Sequence, residues 1–282
     1  MEDKTISMTM EGLGPWSYSK MKCLINCPFQ FYLKYIHKLK TPATRSPESM
    51  IGSAAHKVLE LHAVGKSLDN SIEEARHAHH EEMGEELWNE VLKLRESFIA
   101  FKERLDKFNE QHPIKRILVE MRIGVTNDFS PTTFFADNVF FRGIIDLVLL
   151  LENNDAVFID HKTGGSAKYG IKNYRQQLNS QVVLFHNGVT EIDGGTVGIH
   201  FINEREIKLD SHIDRKTIET DLQKELLYSI DNAVHRVIEL GYFKHIAGNS
   251  CKWCEFAGPC KAGTLKELEQ STRKFIPICS KQ

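Results

Sequence analysis

The sequence predicts an α/β fold, a mixed central β-sheet flanked by helices and preceded by a helical region. Three observations predict it. From about residue 48 to 112 apolar residues recur at helical spacing. After Pro113 the period changes to two, through Arg116–Thr126 and again through Phe140–Thr163. A helical pattern, a strand and a second helical pattern follow, an order in which helices cover a sheet. The chain has 282 residues, 41% hydrophobic and 26% charged, enough for one large core-bearing domain over 1–282.

The elements follow in order. Trp16 to about Leu39 reads as a helix with Ser17 or Ser19 as N-cap, broken in two at Pro28. The loop TPATRSP precedes a helix from near Glu48 to Val64, whose stripe is Ile51, Ala55, Val58, Leu59 and His62. Residues 68–112 suggest two charged helices divided near Gly84. His77, His79 and His80 there are too close in sequence to face one another, and read as an exposed polar face. A core sheet occupies about 113–205: the strand Arg116–Thr126, two apolar runs joined by a turn at Asn153–Asp155, and the strand Thr196–Glu204. Between them lie the Gly164–Gly165 turn and an amphipathic helix, Tyr174–Asn187. Asp214–Leu240 reads as one long helix stopped by Gly241. The segment 245–282 carries four of the six cysteines.

No run reaches the roughly 18 uninterrupted apolar residues of a membrane span, and MEDKTISMTM is unlike a secretion signal, so a cytoplasmic location is expected. A formal net charge of −2 does not announce a polyanion binder. Any such site must be local, with Lys34, Lys38, Lys40 and Arg45, or Lys168, Lys172 and Arg175, as candidates.

Chemistry concentrates in FFRGIIDLVLLLENNDAVFIDHKT, Phe140–Thr163. Asp146 and Asp160 each sit in an apolar run, where an unpaired carboxylate is costly. Lys162 shares a strand face with Asp160. An odd loop centred on Asn153 or Asn154 would set Asp146 opposite Asp160 or Lys162, whereas an even loop would turn it to the other face. Two acids and a lysine at one sheet surface suit Mg²⁺ or Mn²⁺ and an activated water. The competing explanation is a structural Asp–Lys ion pair. Glu120 is an auxiliary carboxylate or a solvent-facing edge residue. Gln177 and Gln181, one helical turn apart, could touch a nucleotide or a metal-bound water. Gly52 and His56 share a helix face, and alone they read as close packing with a satisfied histidine in preference to a ligand site.

Cys251, Cys254 and Cys260, with Gly258-Pro259 to turn the chain, are spaced to hold a metal centre. A fourth thiolate is available at Cys23, Cys27 or Cys279, and spacing does not choose between zinc and iron–sulfur. With Cys27 as fourth ligand, the centre would close a long loop and constrain the unfolded chain by about 5 kcal/mol, acting as a staple.

Taken together, GSAAH at Gly52–His56, GIID at Gly143–Asp146, DHKTG at Asp160–Gly164 and the CPFQFYLKY segment from Cys27 resemble the PD-(D/E)XK nuclease superfamily. Within it, they resemble the RecB-like branch with an iron–sulfur staple, which includes the AddB nuclease domain and CRISPR-associated adaptation exonucleases. The resemblance implies a restriction-endonuclease-like core and a DNA exonuclease acting on single strands or ends. His56, Asp146, Asp160 and the His161 backbone carbonyl would bind the catalytic metal, and Lys162 would be the catalytic lysine. Cys27, Cys251, Cys254 and Cys260 would hold a [4Fe–4S] cluster, with zinc as the alternative. The branch's Gln-x-x-x-Tyr motif survives here as Gln181 and Phe185, which keeps an aromatic for base or sugar packing but loses its hydroxyl. The alternative is a weakly or non-catalytic DNA-end-binding subunit with a recombination or adaptation partner.

Overall fold

The computed structural model describes residues 9–40 and 45–261, so Cys279 lies outside the described residues. Its helices are α1 (Tyr18–Asn26), α2 (Pro28–Phe31), α3 (Pro47–Ala63), α4 (Leu68–His79), α5 (Glu85–Leu92), α6 (Arg95–Gln111), α7 (Arg175–Gly188), α8 (Arg215–Thr217), α9 (Gln223–Leu240) and α10 (Ala257–Lys261). Its strands are β1 (Ile114–Val125), β2 (Pro131–Thr132), β3 (Phe141–Leu151), β4 (Asp155–Lys162), β5 (Gly194–Phe201), β6 (Glu206–Leu209) and β7 (Ile213–Asp214). The chain divides into two compact units. One comprises Met1–Thr44, Val125–Arg142 and Lys224–Gln282; the other comprises Arg45–Gly124 and Gly143–Gln223.

The second unit contains most of the sheet, in the order β1-β3-β4-β5-β6, with β7 beside β5. β3 and β4 pair antiparallel with Leu147 opposite Ile159, which fixes an odd loop centred on Asn153. Asn154 takes φ 64° in that loop, a left-handed conformation that asparagine tolerates better than most residues. β5 joins β4 in parallel, with His161 opposite His200, and α7 supplies the crossover a parallel pair needs. β6 and β7 pair antiparallel with β5. Alternation then divides the side chains between two layers. Leu147, Leu149, Val157 and Ile159 share one core with Val58 and Leu59 of α3 and Phe98 and Phe101 of α6. Phe158 instead meets Phe185 of α7 edge-on at 5.4 Å.

In the first unit, the Ser17 hydroxyl caps α1 by accepting the Lys20 N–H at 3.2 Å. Cys27 ends α1, and Pro28 opens α2 at a position where its missing N–H costs nothing. Phe31 lies 5.9 Å from Trp16 and 6.3 Å from Phe243, and Tyr32 lies 5.3 Å from Phe243. The Phe29 N–H donates to the Lys244 carbonyl at 3.2 Å, and Lys34 pairs with Glu255 at 2.7 Å. Segments more than 200 residues apart are thus joined by aromatic packing and a backbone bond.

Three expectations need correction. Residues 68–112 form three helices, because a bend at Lys93–Leu94 lets Trp88 and Val91 of α5 enter the same core as Phe98 of α6. The stretch from Asp214 to Leu240 is interrupted by a π-helical turn, Ile218–Leu222, whose wider step keeps both of those apolar residues buried. The strand expected to run to Glu204 ends at Phe201 and turns back into β6. No helix of the described residues is long and apolar enough to cross a membrane.

Candidate active site

β4 delivers Asp160, His161 and Lys162 at its buried end. Asp160 is 2% exposed. Its Oδ1 accepts from Gln177 Nε2 at 2.7 Å and from Gln181 Nε2 at 3.4 Å, while Oδ2 lies 2.7 Å from Lys162 Nζ. Two amides from one face of α7 and an ammonium therefore offset the cost of burying this carboxylate. Burial opposes the Lys162 charge, but attraction by Asp160 and the hydrogen bond the ammonium donates to it outweigh burial and raise the lysine pKa. The ammonium also sits over the Tyr174 ring, 5.6 Å from its centroid. Gly165, at φ +84°, leaves room for that tyrosine: a Cβ there would stand 2.7 Å from the phenol oxygen.

One register step beyond the Leu147–Ile159 pair, Asp146 comes opposite Asp160. Its Oδ2 accepts the His161 backbone N–H at 2.8 Å and lies 3.4 Å from His56 Nδ1. α3 can bring His56 this close because Gly52 passes the end of β4, where a Cβ would lie 3.0 Å from Thr163 Oγ1. Glu120 completes the cluster. It interrupts β1 with φ 47°, a conformation that costs a non-glycine residue about 1–3 kcal/mol and that recurs where a side chain must be re-aimed. One ligand atom from each of His56, Glu120 and Asp146 lies within 4.8 Å of the others. Desolvation, aided by Asp146 and Glu60, pushes the Glu120 carboxyl up to about 7. Asp146 is also raised, by burial and then by Asp160, with His56 opposing. The three residues line an open cleft of ≈ 600 Å³ together with Lys57 and Arg122.

His56, Asp146, Asp160, Lys162, Gln177 and Gln181 thus converge, and Glu120 belongs with them. Phe185 does not, since it is fully buried against Phe158 and offers no face to a base or sugar. The His161 imidazole turns inward, its Nδ1 2.9 Å from His200 Nδ1, and burial lowers the pKa of both rings. The basic patches are partly neutralised: Lys34 by Glu255, Arg45 by Glu82 at 2.5 Å, and Arg175 by Asp210 at 2.6 Å. His77 and His80 are exposed, as expected, whereas His79 is half-buried and lines the same cleft as His56, Glu120 and Asp146. Tyr174 and His200 were missed. A histidine inside the apolar run of β5 and a double glycine after Lys162 were the signals available.

In the first unit, Cys27, Cys251, Cys254 and Cys260 all line one cavity of ≈ 250 Å³. They do not close on a point: among the described residues, no three of their sulfurs approach as closely as the ligand atoms around His56. Burial pushes the nearby Cys23 thiol up to about 12 and raises Cys254 as well.

The family model for the PD-(D/E)XK nuclease superfamily matches residues 15–261. No curated protein sequence matches the chain. A crystal structure from Eubacterium rectale described as a candidate exonuclease is similar at 12% identity over 85% of each chain, with a TM-score of 0.48. A second, SSO0001, is similar at 13% identity over 83% of this chain and 95% of its own, with a TM-score of 0.31. Neither likeness is close enough to bear on the chemistry.

Proposed function

The chain belongs to the PD-(D/E)XK nuclease superfamily, and on that premise we propose that it is a divalent-metal-dependent DNA exonuclease of the RecB-like branch, acting on single strands or DNA ends. The observation that carries this reading is the meeting of His56, Glu120 and Asp146 beside the buried Asp160 and its half-buried partner Lys162. Crowded carboxylates with raised pKa values and an imidazole form a donor set that suits Mg²⁺ or Mn²⁺. His56, Glu120, Asp146, Asp160 and the His161 carbonyl would hold the metal, which supplies an acidified water and charge stabilisation at a phosphate.

The chain's own residues do the rest. Lys162, held cationic by Asp160, cannot serve as a base; it donates hydrogen bonds to the attacking water and to the phosphate oxygen that gains charge. Gln177 and Gln181 fix the Asp160 carboxylate from α7. The His161 N–H holds Asp146, and the neutral His161–His200 pair ties β4 to β5 behind the site.

In the same reading the whole chain works as one nuclease domain in the cytoplasm. Cys27, Cys251, Cys254 and Cys260 hold a [4Fe–4S] cluster as a staple, supported by their place around one cavity. The test is incubation of end-labelled linear and circular single-stranded DNA with Mg²⁺, Mn²⁺ or EDTA. Metal-dependent loss of the linear strand only, abolished in Asp160→Ala and Lys162→Ala, is expected. Normal cleavage by either variant would sink the assignment.

A further inference from the structure

Phe135 is 74% exposed, yet it is held in an ordered loop between β2 and β3. Thr132 Oγ1 bonds Asn138 Oδ1 at 2.9 Å across the base of that loop, and the Ala136 N–H donates to the Thr133 carbonyl at 3.1 Å. Val139 and Phe140 anchor its far end in the interior. The Phe134 and Phe135 rings meet edge to face, with centroids 4.9 Å apart and planes at 76°. Behind them stands Arg142, its guanidinium carbon 4.9 Å from the Phe134 centroid and 5.6 Å from that of Phe135. Arg142 Nη1 also donates to the Phe134 carbonyl at 3.0 Å, so the cation is fixed beneath the rings.

A rigid aromatic face backed by a cation matches one ligand chemistry closely. A flat base stacks on the ring, and the positive charge behind it favours the attached phosphate. Bases within a duplex cover one another's faces, so such a surface selects unpaired ones. We propose that Phe134, Phe135 and Arg142 form a stacking platform for the unpaired bases of single-stranded DNA. The proposal rests on the nuclease reading for its substrate.

The experiment measures binding in EDTA, where no cleavage is needed. Anisotropy of a labelled oligo(dT) and of a blunt hairpin duplex is titrated with wild type, Phe135→Ala and Phe135→Trp at one salt concentration. Phe135 is a surface residue, so both variants should keep the wild-type melting temperature. Phe135→Ala is expected to weaken oligo(dT) binding by about five- to a hundredfold, the range for removing one stacked base, with duplex affinity unchanged. Phe135→Trp is expected to retain binding, with indole fluorescence quenched by oligo(dT). Equal oligo(dT) affinity in Phe135→Ala, equal losses on both DNA forms, or no binding by wild type would each overturn the platform. Self-association of wild type that Phe135→Ala disperses, without a change in DNA affinity, would assign the patch to protein contact instead. Failure of the nuclease reading shows separately, as persistent cleavage by Asp160→Ala.

Discussion

Glu120 and Asp146 set the pH response of the carboxylate cluster in the metal-free protein. Both have folded pKa values above their ordinary ones, Glu120 at about 7. At these two carboxylates the folded chain binds more protons than the unfolded chain from about pH 4 to about pH 7, which lowers stability as pH rises, while the buried neutral His161 and His200 act in the opposite sense below their ordinary pKa. A divalent cation relieves the repulsion between the ionised carboxylates and competes with their protons. Thermal melts should show a larger stabilisation by Mn²⁺ at pH 8 than at pH 5, and equal shifts would mean these carboxylates are not ligands. Tyr174 makes a second case. Its ring faces the Lys162 ammonium at 5.6 Å, an interaction of about 0.5–2 kcal/mol. Tyr174→Leu should lower kcat by roughly two- to thirtyfold with little change in KM, while Tyr174→Phe keeps the ring and should cleave almost normally. Phe185→Tyr would restore a hydroxyl at a fully buried site. An unpartnered buried hydroxyl costs about 1–3 kcal/mol, so this variant should melt lower with no gain in cleavage.

At the scale of elements, the parts that could be read in the sequence were those fixed by local pattern. Alternation and a three-residue polar turn located the β3–β4 hairpin, and only the parity of its loop was open until the Leu147–Ile159 register settled it. Gly52 and His56 announced a close-passing helix through their spacing alone. That approach yields a test, since Gly52→Leu must push α3 away from Thr163, which now lies in contact distance. The expected result is Mn²⁺ affinity weakened by at least tenfold, read by calorimetry. What could not be read depends on parallel pairing. His200 reaches His161 only because α7 carries the chain across to β5 in one register, and no local pattern encodes that register. The bend between α5 and α6 and the π-helical turn before α9 were hidden for a similar reason. Both serve burial in the core, without a glycine or proline to mark them.

On the scale of the whole molecule, each compact unit is assembled from separated stretches of chain, and the chain passes between them after Thr44, Gly124, Arg142 and Gln223. The His56–Glu120–Asp146 cluster and the cysteine-lined cavity fall in different units, so their responses should separate. Protein purified without oxygen should absorb in the visible region. Cys254→Ser should lose that absorbance and melt lower, while keeping the Mn²⁺-induced shift. The pairing of Phe31 with Phe243 carries one more consequence. During synthesis Phe31 leaves the ribosome more than 200 residues ahead of its partner, which at 5–20 residues per second is on the order of ten to forty seconds. For that interval Phe31 lacks its Phe243 partner and the Phe29 N–H lacks the Lys244 carbonyl, while the intervening unit is being made up to Gln223. The first-made helices are thus the last to find their place, and they are the segment a chaperone would have most reason to hold.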